Sequence, residues 1–163
     1  MTIFEANTAQ LTIIKDLAHR IWPSTYGEIL SKEQLKFMLD KFYVLDFLEM
    51  LRKNGHHFLL LEDNSNFVGY ASYELNYENS GKTKIQKIYV LQELQGKGLG
   101  KKLMDYIKKV AIENNNKSLI LNVNRFNKAK GFYEKYGYVI KETVDIEIGN
   151  GYLMEDYVME LLL

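Results

Sequence analysis

Apolar residues recur at two different periods along the chain, and the switches between them divide it into elements. Leu11, Ile14, Leu17, Ala18 and Ile21 keep the three-and-four spacing of one helix face, which predicts a helix over residues 8–22 with Thr8 as its cap. Ser31 with Gln34 three residues on has the form of a capping box and opens a second helix. Its stripe of Leu35, Met38, Leu39, Phe42 and Leu45 carries that helix to about residue 51. Between the two lies IWPSTYGEIL, residues 21–30, aromatic-rich and holding the only proline, Pro23; it reads as a loop. After Asn54-Gly55 the period changes. HHFLLLED and FVGYASYELNYE read as two strands around the turn DNSN, and TKIQKIYVL alternates as a third after a turn near Gly81. Leu99, Leu103, Ile107, Val110 and Ala111 restore the helical period until ENNN ends it. SLILNV is a short buried strand, residues 127–136 are helical, and Gly137 stops that helix. Residues 138–162 form two strands around Gly149-Asn150-Gly151, a hairpin signal. The order is helix, helix, three strands, helix, strand, helix, two strands. That is a mixed α/β, or α+β, domain with an antiparallel first half.

Composition narrows what such a domain does. The 163 residues suit a single domain spanning 1–163. Lys+Arg and Asp+Glu balance at 21 each, which argues against a nucleic-acid partner held by bulk charge. No apolar run approaches the ~18 residues that cross a bilayer. The first ten residues, MTIFEANTAQ, lack the basic-then-apolar pattern of a signal peptide. The expectation is a cytoplasmic protein with neither membrane nor nucleic acid as partner. The chain has no cysteine, so it has no disulfide, no thiolate metal site and no cysteine nucleophile. Three histidines, His19, His56 and His57, come with no nearby cluster of further ligands, and no metal is expected.

One stretch asks for a ligand. VLQELQGKGLGKKLMDYIKK, residues 90–109, places Gly96, Gly98 and Gly100 just ahead of a helix. A dinucleotide loop needs G-x-G-x-x-G, but Lys101 occupies the sixth position. A nucleoside-triphosphate loop needs four residues between its glycines and then Lys-Ser/Thr; here three residues intervene and Lys102 stands at the hydroxyl position. What remains is more general. A glycine-rich strand-to-helix turn aims backbone N–H groups at an anion, helped by the helix dipole. Lys97, Lys101 and Lys102 add positive charge. The turn suits a phosphorylated ligand.

QGKGLG, residues 95–100, resembles the Gln/Arg-x-x-Gly-x-Gly/Ala signature of the GNAT superfamily of N-acetyltransferases. A second match follows in the right order: Asn122 at the end of LILNV, then NKAKGFYEKYGY, residues 127–138, similar to that family's N-x-x-A-x-x-F-Y segment. The resemblance covers residues 57–162 well and the first 55 loosely. It implies a mixed central sheet of about six to seven strands, splayed between the third and fourth core strands, with about four helices. Residues 8–55 would then be acceptor-side helices, 57–123 the sheet and acetyl-CoA loop, and 124–163 the C-terminal helix and hairpin.

The resemblance also assigns roles. Gln95, Gly96, Lys97, Gly98, Leu99, Gly100 and Lys101 would hold the pyrophosphate of acetyl-CoA. Ile88, Tyr89 and Val90 would bind its pantetheine arm through the backbone, with Asn122 and Asn127 close by. Lys130, with Lys128, would meet the 3′-phosphate or simply form a solvated helix face. Tyr133 would be the general acid. A phenol near ~10 keeps its proton at neutral pH and can give it to a leaving thiolate, whose thiol titrates near ~8.5. Asn127 is also a natural helix cap. The base that deprotonates the amine is left open among Glu74, Tyr73, Tyr89 and water. Trp22 and Tyr26 are candidates for the acceptor pocket. The reading is direct acetyl transfer from acetyl-CoA to a primary amine. The acceptor is either a small molecule or a protein; the region 22–43 resembles bacterial polyamine N-acetyltransferases, and Glu28, Glu33, Asp40 and Glu74 would attract a cation. The alternative is a CoA-binding regulator, which would keep the loop but have no need of Tyr133. The apolar tail, Leu161 to Leu163, marks the last strand as a candidate homodimer surface.

Overall fold

The computed structural model describes all 163 residues. The first element is one the apolar pattern does not announce. Thr2–Glu5 forms a short strand, β1, antiparallel to β2 (His57–Asp63), with Ile3 opposite Leu61.

The first helix, α1 (Leu11–Tyr26), follows a single 3-10 turn. Its entry is capped by Asn7 and not by Thr8. Gln10 N donates to Asn7 Oδ1 at 3.0 Å, and Asn7 N donates to Gln10 Oε1 at 2.9 Å. The Thr8 hydroxyl donates instead to the Glu49 carboxylate. α1 also runs through Pro23, into the segment that reads as a loop. Trp22 and Tyr26 continue the buried stripe of Ile14, Leu17, Ala18 and Ile21. Their burial outweighs the ~3 kcal/mol that an interior proline costs. The hydroxyls of Ser24 and Thr25 donate to Ile21 O at 2.8 and 3.1 Å and steady this last turn.

Ser31 caps α2 (Lys32–Phe42), accepting from Gln34 N at 3.1 Å, but the return half of the capping box is not formed, because the Gln34 side chain donates to Leu153 O instead. The single long helix expected here is in fact two, because Tyr43 and Val44 leave the helical path before α3 (Leu45–Lys53). Tyr43 is fully buried, and the break turns its hydroxyl to that of Tyr70, 2.8 Å away. The helices therefore number five, with α4 (Leu99–Glu113) and α5 (Ala129–Tyr136), against the four expected.

The remaining strands are β3 (Asn66–Glu74), β4 (Lys82–Val90), β5 (Ser118–Asn124), β6 (Val139–Gly149) and β7 (Tyr152–Leu162). They form one mixed sheet in the order β1-β2-β3-β4-β5-β7-β6. Only β4 and β5 are parallel, joined by the α4 crossover. Alternation along β3 separates the two faces. Tyr70 meets Trp22 of α1, whereas Tyr73 faces Tyr106 of α4. Covered on both sides, residues 58–61 of β2 are uniformly apolar and fully buried.

Two irregularities open the sheet in its middle. Ser72 pairs with Lys87 and Tyr73 with Ile85, so Gln86 is an extra residue, a bulge in β4. β4 and β5 pair only from Lys82–Ser118 to Ile85–Leu121, and beyond that they diverge. These are the third and fourth of the strands that the sequence predicts. The last strand is not a free edge: β7 is hydrogen-bonded to β5 on one side and β6 on the other, and β6 is the edge. A homodimer could not extend the sheet through β7, because its ladder is already full.

Candidate active site

A cleft of about 740 Å³ opens where β4 and β5 part. The bulge at Gln86 sets the direction of its β4 wall. Leu91 N donates to Val68 O at 2.9 Å, so by strand alternation the amides of Ile88 and Val90 turn to the other edge, where β5 has moved away. Ile88, Tyr89 and Val90 all line the cleft, and the Ile88 and Val90 amides there have no strand to pair with.

The loop into α4 forms the next wall. Gly96 and Gly98 hold φ of +81° and +78°, a region that side chains with Cβ enter at a cost. The first helical hydrogen bond of α4 runs from Lys102 N to Gly98 O, which leaves the N–H groups of Leu99, Gly100 and Lys101 without helical partners. These are the donors an anion takes. Gln95 lines the cleft and closes the loop by donating from Nε2 to Val90 O at 3.4 Å. Lys101 is shared with Asp105 at 2.7 Å, while Lys97 is exposed beside the cleft wall and outside it.

From β5 and α5 come Asn122, Asn127 and Tyr133, all lining the cleft. Asn127 caps α5 locally, its Oδ1 accepting from Ala129 N at 2.9 Å. Lys128 reaches the wall; Lys130 does not, being engaged with Glu134 at 3.1 Å and lying over the Tyr157 ring. Tyr133 is 7% exposed and packs edge-on to Phe132 and Tyr138. Burial, with a smaller contribution from Tyr26, pushes its phenol well above the ordinary value, so the group stays protonated.

The opposite end of the cleft is aromatic. The Tyr26 and Tyr89 hydroxyls lie 2.8 Å apart, and both residues line the cleft. Burial raises Tyr26 to about 12, the Tyr89 hydrogen bond lowers it, and the nearby Asp156 charge raises it again. Trp22 stands behind them in the core, donating from Nε1 to the Tyr70 hydroxyl at 3.2 Å. Glu74 is set apart as well. Its carboxylate accepts from Gln86 Nε2 at 2.7 Å and faces His56 Nε2 at 3.3 Å. Of the acids that would attract a cation, Glu28 lines the cleft, while Asp40 is paired with Lys36 on the surface of α2.

Four residues escape the sequence reading, Lys87 and Phe126 in the cleft wall and Lys84 and Asp156 behind it. Lys87 lines the cleft, and burial lowers its amine to about 8, with Glu74 acting in the other direction. Lys84 Nζ donates to Asn122 Oδ1. Phe126 is 66% exposed at the cleft mouth. Asp156 on β7 is 3% exposed, with Asn122 beside it, and its Oδ1 has no partner. The available signal for it was an acid at an inward position of an alternating strand, with Met154 and Val158 two residues to either side.

A family model described as an acetyltransferase (GNAT) domain matches residues 28–161. Solved structures share the fold across the whole chain. A PaiA N-acetyltransferase from Thermoplasma acidophilum, in complex with coenzyme A, superimposes with a TM-score of 0.81 at 23% identity and 100% coverage of both chains. A ribosomal-protein-alanine N-acetyltransferase from Brucella melitensis gives 0.68 at 20% identity, also covering 100% of both. A spermidine N-acetyltransferase chimera of Vibrio cholerae SpeG and hSSAT gives 0.68 at 22% identity, covering 99% of this chain and 96% of that one.

Proposed function

Because the chain belongs to the GNAT acetyltransferase family and is an acyltransferase that draws on acetyl-CoA, we propose that it transfers the acetyl group directly to the primary amine of a small cationic molecule of polyamine type. The observation that carries this reading is the Tyr133 phenol. It is buried, protonated and free of hydrogen bonds to other protein groups, in the same cleft as the unpaired N–H groups at the start of α4.

The fit to acetyl-CoA is a matter of donors and room. Leu99, Gly100 and Lys101 offer backbone N–H groups to a pyrophosphate, and Gly96 and Gly98 have open space where a Cβ would project. The free amides of Ile88 and Val90 suit the amide groups of a pantetheine arm, and the Val90 N–H is the donor for the acyl oxygen. Acetyl-CoA supplies an activated acyl group and a thiolate leaving group. With no cysteine in the chain, direct attack by the amine is the simpler course.

Tyr133 protonates the sulfur. Moving a proton from a phenol to a free thiolate is uphill by their ordinary pKa values, and burial of the phenol widens that gap. The same buried setting also destabilises a thiolate, so the proton moves as the C–S bond breaks and not after it. The acceptor preference rests on charge: Glu28 lines the cleft without an ion-pair partner, and Asp156 lies beneath Tyr26. A protein amine is the second reading, supported by the fold shared with the ribosomal-protein-alanine enzyme.

Thiol release from acetyl-CoA, measured against a panel of amines that includes spermidine, tests the proposal. Tyr133→Phe should lower kcat about 100-fold while the Kd for acetyl-CoA stays within twofold. Unchanged turnover in that variant would remove Tyr133 from the chemistry. Acetyl-CoA binding with no turnover on any small amine would favour the protein acceptor.

A further inference from the structure

Amine acetylation needs a base as well as an acid, because an ammonium ion has no lone pair with which to attack. We propose that Asp156 is that base: the ammonium head of the acceptor binds against its free Oδ1 and gives up a proton to it. The assignment rests on the acetyl-transfer reading of the cleft.

Three observations converge on this carboxylate. First, position: Asp156 pairs with Asn124 across the β5–β7 ladder, one step from Asn122, which lines the cleft. Directly paired residues share a face, so Asp156, Asn122 and Lys84 of β4 project to the same side, the side covered by α1. Second, connection: Lys84 Nζ donates to Asn122 Oδ1, which leaves the Asn122 NH2 as the donor beside Asp156. Third, an unmet need: Oδ1 is buried with no donor. An orphaned buried acceptor is costly, and an incoming N–H satisfies it.

The surroundings suit a proton acceptor. Burial raises the carboxyl above its ordinary value, and the Asn122 hydrogen bond, Lys84 and Arg125 pull it back. Tyr26 faces it from α1, β6 presents the uncharged Val144, and the Arg125 guanidinium is shared with Asp145. The result is a carboxylate more basic than a solvated one. The protons balance. The ammonium loses one to Asp156, which later passes it to water. It loses a second as the C–N bond forms and the C–S bond breaks, and that one replaces the proton Tyr133 gives to sulfur.

Two measurements test the assignment. The first is the pH profile of kcat/KM for spermidine. The wild type should be flat through neutral pH, because the enzyme accepts the ammonium form. Asp156→Asn should be about 100-fold slower at pH 7 and should climb tenfold per pH unit toward the amine's own pKa, with acetyl-CoA binding unchanged. A loss of the same factor at every pH would make Asp156 structural and overturn the proposal. The second reads the wild type directly, by NMR titration of carboxyl-labelled aspartates in the CoA-bound protein. Millimolar spermidine should lower the Asp156 pKa by at least one unit, and no response would overturn the assignment. This readout needs no turnover, so a failure of the acetylation reading and a failure of the Asp156 assignment are told apart.

Discussion

At the scale of single residues, the site is built from groups whose ionisation is displaced by burial. Lys87 shows how this bears on the whole fold. Its amine is lowered to about 8, chiefly by burial, whereas in the unfolded chain it titrates near ~10.4. Below pH 8 both states bind the proton, and the folded state carries the penalty of a buried cation. Between pH 8 and 10 the unfolded chain binds more protons, so stability rises with pH across that window. Above 10 the buried tyrosines reverse the trend, because the unfolded chain then releases protons that Tyr26 retains. Lys87→Met should therefore stabilise the protein at pH 7 by ~1–3 kcal/mol and flatten the rise between pH 8 and 10, as read by chemical denaturation at each pH. Tyr133 was legible in the sequence because it sits inside a contiguous segment. Asp156, Lys84 and Lys87 were not, because each gains its meaning from a strand register: Asp156 from its place opposite Asn124, Lys84 from the β4–β5 pairing, Lys87 from the bulge beside it.

At the scale of elements, periodicity found the helices and interior strands, and what it missed has local physical causes. β1 is four residues long and takes its stability from pairing with β2, so it leaves no pattern of its own. α1 outruns its predicted end because Trp22 and Tyr26 gain more from burial than Pro23 takes away. The turn into α4 is the element on which the proposed acetyl-CoA binding depends most. Gly98 holds its positive φ with open space beyond it, so a methyl group meets no protein atom and acts only through backbone strain and on the ligand. Gly98→Ala should cost ~1 kcal/mol of stability, and calorimetry should show acetyl-CoA affinity reduced at least tenfold. An affinity within twofold of wild type would mean that the phosphates sit elsewhere.

At the scale of the molecule, the splay is a division of labour. The antiparallel part, β1 to β4, and the part made of β5, β7 and β6 are bonded to each other at one end of the β4–β5 seam and are apart at the other. A ligand whose amides pair with Ile88 and Val90 completes the missing edge. Saturating acetyl-CoA should therefore raise the thermal midpoint, by ~2.7 kcal/mol of added stability at a hundredfold excess over Kd. Amide exchange should slow in β4 residues 86–90 and in β5 residues 122–124 together; protection of one strand alone would count against a ligand seated between them. The architecture was visible in the order of elements, and the family resemblance implied a bulge that splays the strands at residues 87–90; the extra residue is Gln86, just ahead of them, which the apolar pattern does not single out. The aromatic end of the cleft has a consequence of another kind. Trp22 is the chain's only tryptophan, and its ring centroid lies 4.8 Å from that of Tyr26 and 5.8 Å from that of Tyr89, the two tyrosines at the cleft wall. Its fluorescence thus belongs to a single buried emitter one ring away from the cleft wall, and the protein carries its own optical gauge of whether that end of the cleft is filled.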